Sequence, residues 1–499
     1  MLERFSPARA AAGLRQALND VGLVRRPLPV RLKESLLDEV GTTRQSKEGT
    51  GGQNIGRFGS VVLVMNTLVG PGLLQLPRVL QKAGWVPVTC SITLVSLVSA
   101  LTVTLFCDVL ARVPRPATGE ALRYEYSDLF RHVFGRRSFA LTQLLFFLCN
   151  MSQAVTGIVA TAQVMDSLLM DWFVKTWGFA FDPMPRVVSW DIADCHGWHR
   201  CIPFGGTKAD HVNQPWVLTL GYVVTAVLIM PQSLLSLDDN IKFQMFSFVA
   251  LVVLLGEFAW HWSAVGLDAE MPAVGSDWSN VLGVALFNFT LCIVVPSWFN
   301  EKHPRVSTNR TIWGSFVAAA LMFLGFGSVG ALSMHHAPDN VLSGLSRPGV
   351  DELTRLSSYF FGLLIIGFGV PVSCVLMRYN LQLGGVLPPR AAAVVGTLLP
   401  WLLSWPLYQG HAVLDFIATT GTLVNGTINL VLPLFIAHAA SGAGCFTSTG
   451  QLRPPSESSV APLPQWMEPW RPLLIGAMLA VVLLAIGGDL ALKCVNLVF

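Results

Sequence analysis

Asn66-Thr67-Leu68-Val69-Gly70-Pro71-Gly72 stands in the middle of the first long apolar run of the chain, residues 58–82, and its reading decides the fold. Pro71 has no N–H and clashes with the preceding helical turn, and the two flanking glycines loosen the backbone, so helical hydrogen bonding is expected to fail there. Two readings are open, a simple proline kink and a full interruption of the helix. Lipid cannot satisfy freed backbone groups, so an interruption at the bilayer midplane is tolerated only inside protein or beside a watery cavity. Polar company favours interruption. Asn66 and Thr67 adjoin the break, and Asn288-Phe289-Thr290 sits in the middle of a later apolar run, with Pro296 beyond it.

The rest of the chain is membrane in character. Of its 499 residues 52% are hydrophobic and 13% charged, with a mean hydropathy of +0.55. Soluble domains carry about 25% charged residues, and one anchor of about 20 residues could not raise the mean so far. The apolar runs are too long for the roughly ten-residue strands of a membrane barrel. A net charge of +3 gives no reason to expect a nucleic-acid partner. Helices are predicted near 58–82, 85–110, 138–165, 216–236, 243–264, 279–299, 311–334, 354–377, 391–410, 414–438 and 472–497, about eleven spans of an all-α polytopic protein. With the N-terminus in the cytosol, the cytosolic side collects 24 Lys/Arg and the other side 9, as the positive-inside rule requires.

This divides the chain into a disordered cytosolic tail (1–57), a core (58–440) with an outward loop (170–214), a cytosolic linker (441–471) and a last helix (472–499). The tail holds ten Lys/Arg and six Asp/Glu. Its stretch from Arg4 to Lys33 is Arg- and Ala-rich, as transit peptides are, while Glu3, Asp20 and Glu34 count against that reading. Between the second and third spans, Leu122, Tyr126, Leu129, Phe130 and Val133 share one face of a short amphipathic helix expected on the cytosolic surface. The outward loop alone holds Cys195 and Cys201, whose simplest partnership is a disulfide; the intervening His196 and His199 permit zinc, at a spacing that is not a standard ligand set.

The first and sixth spans run in opposite directions in this topology, as expected of two inverted five-helix repeats that each open with a discontinuous helix. The outer half of the first would start around Gly72, Leu73 and Leu74, offering N–H groups and a positive dipole end to a carboxylate. The free carbonyls before the break, and those near Asn288, suit an ammonium group or a cation. Together they form a receptor for a zwitterion, expected from Asn66, Thr67, Gly70, Pro71, Gly72, Leu73, Asn288, Phe289 and Thr290.

The run from Asn66 through Gly70-Pro71-Gly72, Leu76-Pro77 and Ala83-Gly84-Trp85 resembles the first-helix signature of the amino acid/auxin permease family, within the amino acid-polyamine-organocation superfamily. Further similarity lies in Tyr126 to Gly135, in Pro296 to Pro304 with Asn300-Glu301-Lys302, and in Pro371 to Arg378, so that the likeness spans residues 58 to about 440. The resemblance implies a LeuT-type 5+5 inverted repeat plus one C-terminal helix, and secondary transport of amino acids by alternating access, coupled to H+ or Na+. The chain departs from many relatives in having Pro71 where they carry a small residue, and in its long outward loop. The implied partners are a small amino acid and the lipid bilayer, with a monomer sufficing, in a plasma membrane or a vacuolar/lysosomal-type membrane. No enzymatic role, cofactor or metal is expected beyond the coupling ion.

Other embedded polar residues fit this frame. Gln143, Asn150, Gln153 and Gly157 form one face of the third span, and Thr419, Thr420, Thr422, Asn425 and Asn429 make the tenth similarly polar; each face either lines a pathway or cements packing. Ser373 is a candidate to join Asn66 around sodium. Glu257 reads as the one carboxylate deep in a span, about two thirds of the way across, and is either a proton carrier or a structural group with His261 one turn away. Asp489 is expected to snorkel from the last helix. A transporter-fold sensor with little flux is the alternative function, separable by counterflow of labelled amino acids. A membrane-embedded transferase is a weaker one, because no nucleophile with a matching base appears and the nearest cluster is His335-His336 with Asp339.

Overall fold

Long apolar runs form helices in a membrane because only a helix satisfies every backbone group within one segment. A computed structural model of the chain describes residues 55–113, 124–181, 184–191, 217–235, 237–338, 340–347, 349–408, 416–417, 419–441, 452, 458 and 460–498. The described residues belong to one compact unit. Cys195, Cys201, His196 and His199, residues 1–54 of the expected tail, and most of the expected linker lie outside the described residues.

The helices are α1 (Arg57–Leu68), α2 (Leu76–Ala83), α3 (Trp85–Arg112), α4 (Tyr126–Phe134), α5 (Arg136–Phe173), α6 (Leu220–Ile229), α7 (Leu237–Val265), α8 (Val281–Asn288) and α9 (Val295–Glu301). There follow α10 (Thr308–Ser333), α11 (Val341–Leu345), α12 (Glu352–Phe360), α13 (Gly369–Leu383), α14 (Pro389–Ser404), α15 (Leu432–Ala439) and α16 (Arg471–Val498). Wider π-type turns at Phe361–Gly367, Gly421–Asn425 and Thr427–Val431 join α12 to α13 and lead into α15. Among the described residues seven helical stretches are long and apolar enough to cross a bilayer, and the pair Arg57–Leu68 and Pro71–Ala83, bent by 47°, makes an eighth. The other three expected spans are shorter or interrupted, at 220–234, 281–301 and 389–407.

α7 and α16 turn large apolar side chains outward, among them Val252, Val253, Trp260, Leu473 and Leu484, which suits a lipid environment. α3 and α5 are mostly buried and carry the core. At 38 residues, α5 is about 57 Å long, well beyond the roughly 30 Å hydrocarbon layer. Its far end carries a structure not anticipated for the outward loop, a three-stranded antiparallel sheet in the order β2-β1-β3: β1 (Lys175–Ala180), β2 (Arg186–Asp191) and β3 (Val217–Thr219). Alternation in β1 buries Thr176, Gly178's neighbour Trp177 remaining out, and pairs Lys175 with Asp191 at 2.8 Å. So short an alternation is masked in sequence by the polar loop around it.

Two buried carboxylates correct the reading of Glu257 as the single one. Asp166, fully buried on α5, accepts from Thr176 Oγ1 (2.9 Å), the Gly221 N–H (2.9 Å), Thr219 and Tyr408, and so fastens the sheet and the start of α6 to the bundle. Asp108, also fully buried, pairs with Arg471 at the start of α16 and lies 3.6 Å from Arg112. Both stand near helix ends, where sequence places a charge at the membrane surface; neighbouring elements cover them. Asp489 likewise does not snorkel but accepts from Thr422 Oγ1 at 2.7 Å. The amphipathic pattern of α4 holds, yet the helix is wedged into the protein, with Tyr126 fully buried, stacked on Phe130 and donating to the Ile428 carbonyl.

Candidate substrate site

α1 ends where its donors run out. The Val69 N–H still reaches the Met65 carbonyl (2.8 Å), Gly70 is extended at φ −113° and ψ −168°, and Pro71 has nothing to donate. The chain resumes as a tight 3-10 turn over Pro71–Gln75. Leu73 N–H, expected to be free, donates to the Gly70 carbonyl at 3.1 Å, which leaves Gly72 as the donor at the head of that turn. The second break follows the same logic: α8 stops at Asn288, residues 289–294 leave the helix, and α9 restarts at Val295 with Pro296 in its first turn, where proline's fixed φ is favourable.

The two breaks touch. A Cβ on Gly72 would lie 2.4 Å from Asn288 Oδ1, so only glycine permits this approach. Beside them is a cavity of about 70 Å³. Leu63, Asn66, Thr67, Val69, Gly70 and Pro71 form one wall; Gln153 and Gly157 of α5, Gln244 of α7, and Thr290, Ile293 and Val294 of the second break form others. The α12–α13 region closes it with Ile365, Ile366, Gly369, Val370, Val372, Ser373 and Leu376. No charged side chain lines it among the described residues.

Its polar groups are held in place from behind. Asn66 Nδ2 donates to the Gln244 carbonyl (2.7 Å) and to Gln244 Oε1 (2.8 Å), while Gln244 Nε2 donates to the Phe368 carbonyl (2.8 Å). Gln153 Nε2 donates to Thr290 Oγ1 (3.2 Å), which donates to the Phe287 carbonyl (3.3 Å). Thr67 Oγ1 donates back to Leu63 within its own helix (2.7 Å). Two buried acceptors, Asn66 Oδ1 and Asn288 Oδ1, have no partner among the described residues. An unmet buried acceptor costs about 1–3 kcal/mol, so each favours a donor or a cation arriving beside it.

Of the residues singled out in sequence, Asn66, Thr67, Gly70, Pro71, Thr290 and Ser373 line the cavity. Gly72 and Asn288 form the contact beside it; Leu73 is fully buried, and Phe289 packs on Phe316 and Phe323. Glu257 is remote, thirteen residues or about 20 Å along α7 from Gln244, and accepts from Thr354 Oγ1 at 2.6 Å. The polar face of α5 divides: Gln153 and Gly157 line the cavity, whereas Gln143 bonds to the Asn380 carbonyl and Asn150 to its own helix. Gln244 was not anticipated. It lies one residue into its predicted span, where a glutamine reads as interfacial.

The bundle thus brings two interrupted helices together beside a small cavity with a few polar groups. The profile of the transmembrane amino acid transporter protein family matches residues 53–374, and the chain belongs to that family. Among curated protein sequences none matches. Among solved structures, MhsT in complex with L-phenylalanine is similar at a TM-score of 0.54 and 13% identity, over 86% of this chain and 98% of that one. Mhp1, a nucleobase-cation-symport-1 family transporter in a closed conformation with bromovinylhydantoin bound, is similar at 0.50 and 11%, over 77% and 78%. The fold is thus the LeuT-type bundle of these solved transporters, and the family is one of transmembrane amino acid transporters.

Proposed function

We propose that the central cavity is the substrate site, that it takes small amino acids with uncharged side chains, and that Na+ drives uptake through Asn66 and Ser373. The observation that carries this reading is Asn66 Oδ1, without a partner among the described residues, on the wall of a cavity whose described lining has no ionisable side chain. At about 10–15 Å³ per water, 70 Å³ holds about five to seven water-sized groups, the scale of the smallest amino acids. A charged side chain would find no counter-ion there. A cation bound by neutral amide and hydroxyl oxygens needs no acid in the wall, whereas proton coupling needs a titratable group somewhere along the pathway. Thr67, Gly70, Pro71, Thr290 and the Gly72–Asn288 contact would hold the zwitterion, with Leu73 and Phe289 shaping it from behind.

The test is uptake into proteoliposomes from a panel of small, large, acidic and basic amino acids, under separate sodium and proton gradients. Uptake of alanine-sized substrates driven by sodium alone is expected; uptake driven only by protons overturns the sodium assignment. One observation favours a second reading, with Glu257 as a proton carrier: its Oε2 is buried and has no partner among the described residues. We also propose eleven spans with a cytosolic N-terminus, on the basis of the 24 to 9 distribution of Lys/Arg, and a monomer acting in a plasma or vacuolar/lysosomal-type membrane. Epitope tags at the two termini, read before and after selective permeabilisation, check the orientation.

A further inference from the structure

A second and larger cavity, of about 600 Å³, lies at the end of the bundle where α9 turns into α10. Its lining includes Lys302 and Arg305 on the connecting loop and Ser307, Thr308 and Asn309 at the start of α10, with no Asp or Glu among the described lining residues. α10 is a 26-residue helix, so its first turn concentrates a positive dipole end and orphan N–H groups. Ser307 Oγ caps the Arg310 N–H at 3.5 Å and the Ser307 carbonyl receives the Thr311 N–H at 3.1 Å, which leaves the N–H groups of Thr308 and Asn309 for another acceptor.

The Thr308 side chain points to a ligand independently of the helix end. Thr308 is 7% exposed, lines the cavity, and its hydroxyl has no hydrogen-bond partner among the described residues. Lys302 is set into place by a bond to the Val306 carbonyl (3.3 Å) and by lying 5.2 Å over the Phe299 ring. Burial holds its ammonium below the usual lysine range. An anion beside it would offset that cost.

We propose that this cavity is a binding site for a phosphate group, recognised by Lys302, Arg305, the Thr308 hydroxyl and the first N–H groups of α10, at a place separate from the transport site. Phosphate fits because it accepts several hydrogen bonds at once and carries the charge that the two cations and the helix end favour. The group can come from a lipid headgroup, since α10 begins at the bilayer edge, or from free phosphate.

The experiment measures the thermal unfolding midpoint of the purified full-length protein in uncharged detergent by tryptophan fluorescence. Inorganic phosphate and a short-chain phosphatidylinositol 4-phosphate are titrated separately. The reading does not depend on sidedness or on transport, so its failure is distinct from failure of the substrate assignment. A saturable rise at lower concentration with the lipid assigns the site to a headgroup; an equal or stronger rise with inorganic phosphate assigns it to the free ion. In K302Q/R305Q the half-saturating concentration should increase about tenfold or more, and in T308V about threefold, with the unliganded midpoint near that of the wild type. If neither probe gives a saturable rise, or if the rise is unchanged in K302Q/R305Q, the proposal is overturned.

Discussion

Two stretches of this transporter place asparagine and threonine inside apolar runs and behave differently. Around Asn66–Thr67 the helix is cut by Pro71; around Thr422, Asn425 and Asn429 it widens into π-type turns without ending. In the second region the polar groups are turned to one another and to their neighbours. Thr422 bonds to Asp489 (2.7 Å), Cys149 Sγ to Asn425 Oδ1 (2.8 Å), Cys292 Sγ to the Asn429 carbonyl (3.2 Å), and Asn429 Nδ2 to the Asn425 carbonyl (3.1 Å). Both regions also leave buried polar atoms unpartnered among the described residues: Asn66 Oδ1 in the first, Asn425 Nδ2 and Asn429 Oδ1 in the second. An orphan atom alone therefore does not mark a site. Asn66 lines the central cavity and the asparagines of the π-type turns do not.

The largest effect on uptake should come from the glycine contact between the two breaks; the second region has a close glycine contact of its own, Gly421 against the Gly283 carbonyl, but away from the cavity lining. Gly72→Leu must displace Asn288 or part the two breaks, and uptake should fall to background; near-normal uptake at normal abundance would show that the breaks need not touch. Gly314→Ala on α10 is the control, since a Cβ there meets nothing within 4 Å and the residue does not line the cavity, and should keep most of the activity.

Next in size, Asn66→Ala should raise the half-saturating sodium concentration about tenfold while leaving the unfolding midpoint within a few degrees of wild type. Asn429→Ala should do the reverse, costing about 1–2 kcal/mol of stability with sodium and substrate affinities unchanged. Matching phenotypes in the two variants would erase the distinction between the regions.

Glu257→Gln should leave the pH profile of uptake as in the wild type. A flattened or displaced profile would transfer coupling from the cavity to α7.

The smallest effect is expected at Asp277, whose carboxyl is held below the usual carboxylate range chiefly by hydrogen bonding from Ser279, with Lys82 3.5 Å away. Its folded-state pKa is depressed, so its contribution is complete at neutral pH and is lost as pH falls through that value, below about 4. Asp277→Asn should lower the unfolding midpoint slightly at pH 7 and not at the acid end. An equal decrease at both would assign the loss to packing.

Much of this was legible along the chain. A missing N–H at Pro71, a proline opening α9, and long apolar runs are properties of consecutive residues, so the interruptions, the helical class and the family's first-helix signature could be read locally. The sheet on α5 could not, because strands of three to six residues inside a polar loop owe their existence to pairing partners. Gln244 and Glu257 make the same point within one helix. By sequence the carboxylate about two thirds of the way across the span was a candidate and the glutamine at its edge was not; the fold brings Gln244 to the cavity through its bonds with Asn66 and turns Glu257 to Thr354. Which face of a helix meets a void depends on what packs against every other face, and those neighbours, as with Gly72 and Asn288, come from distant parts of the chain.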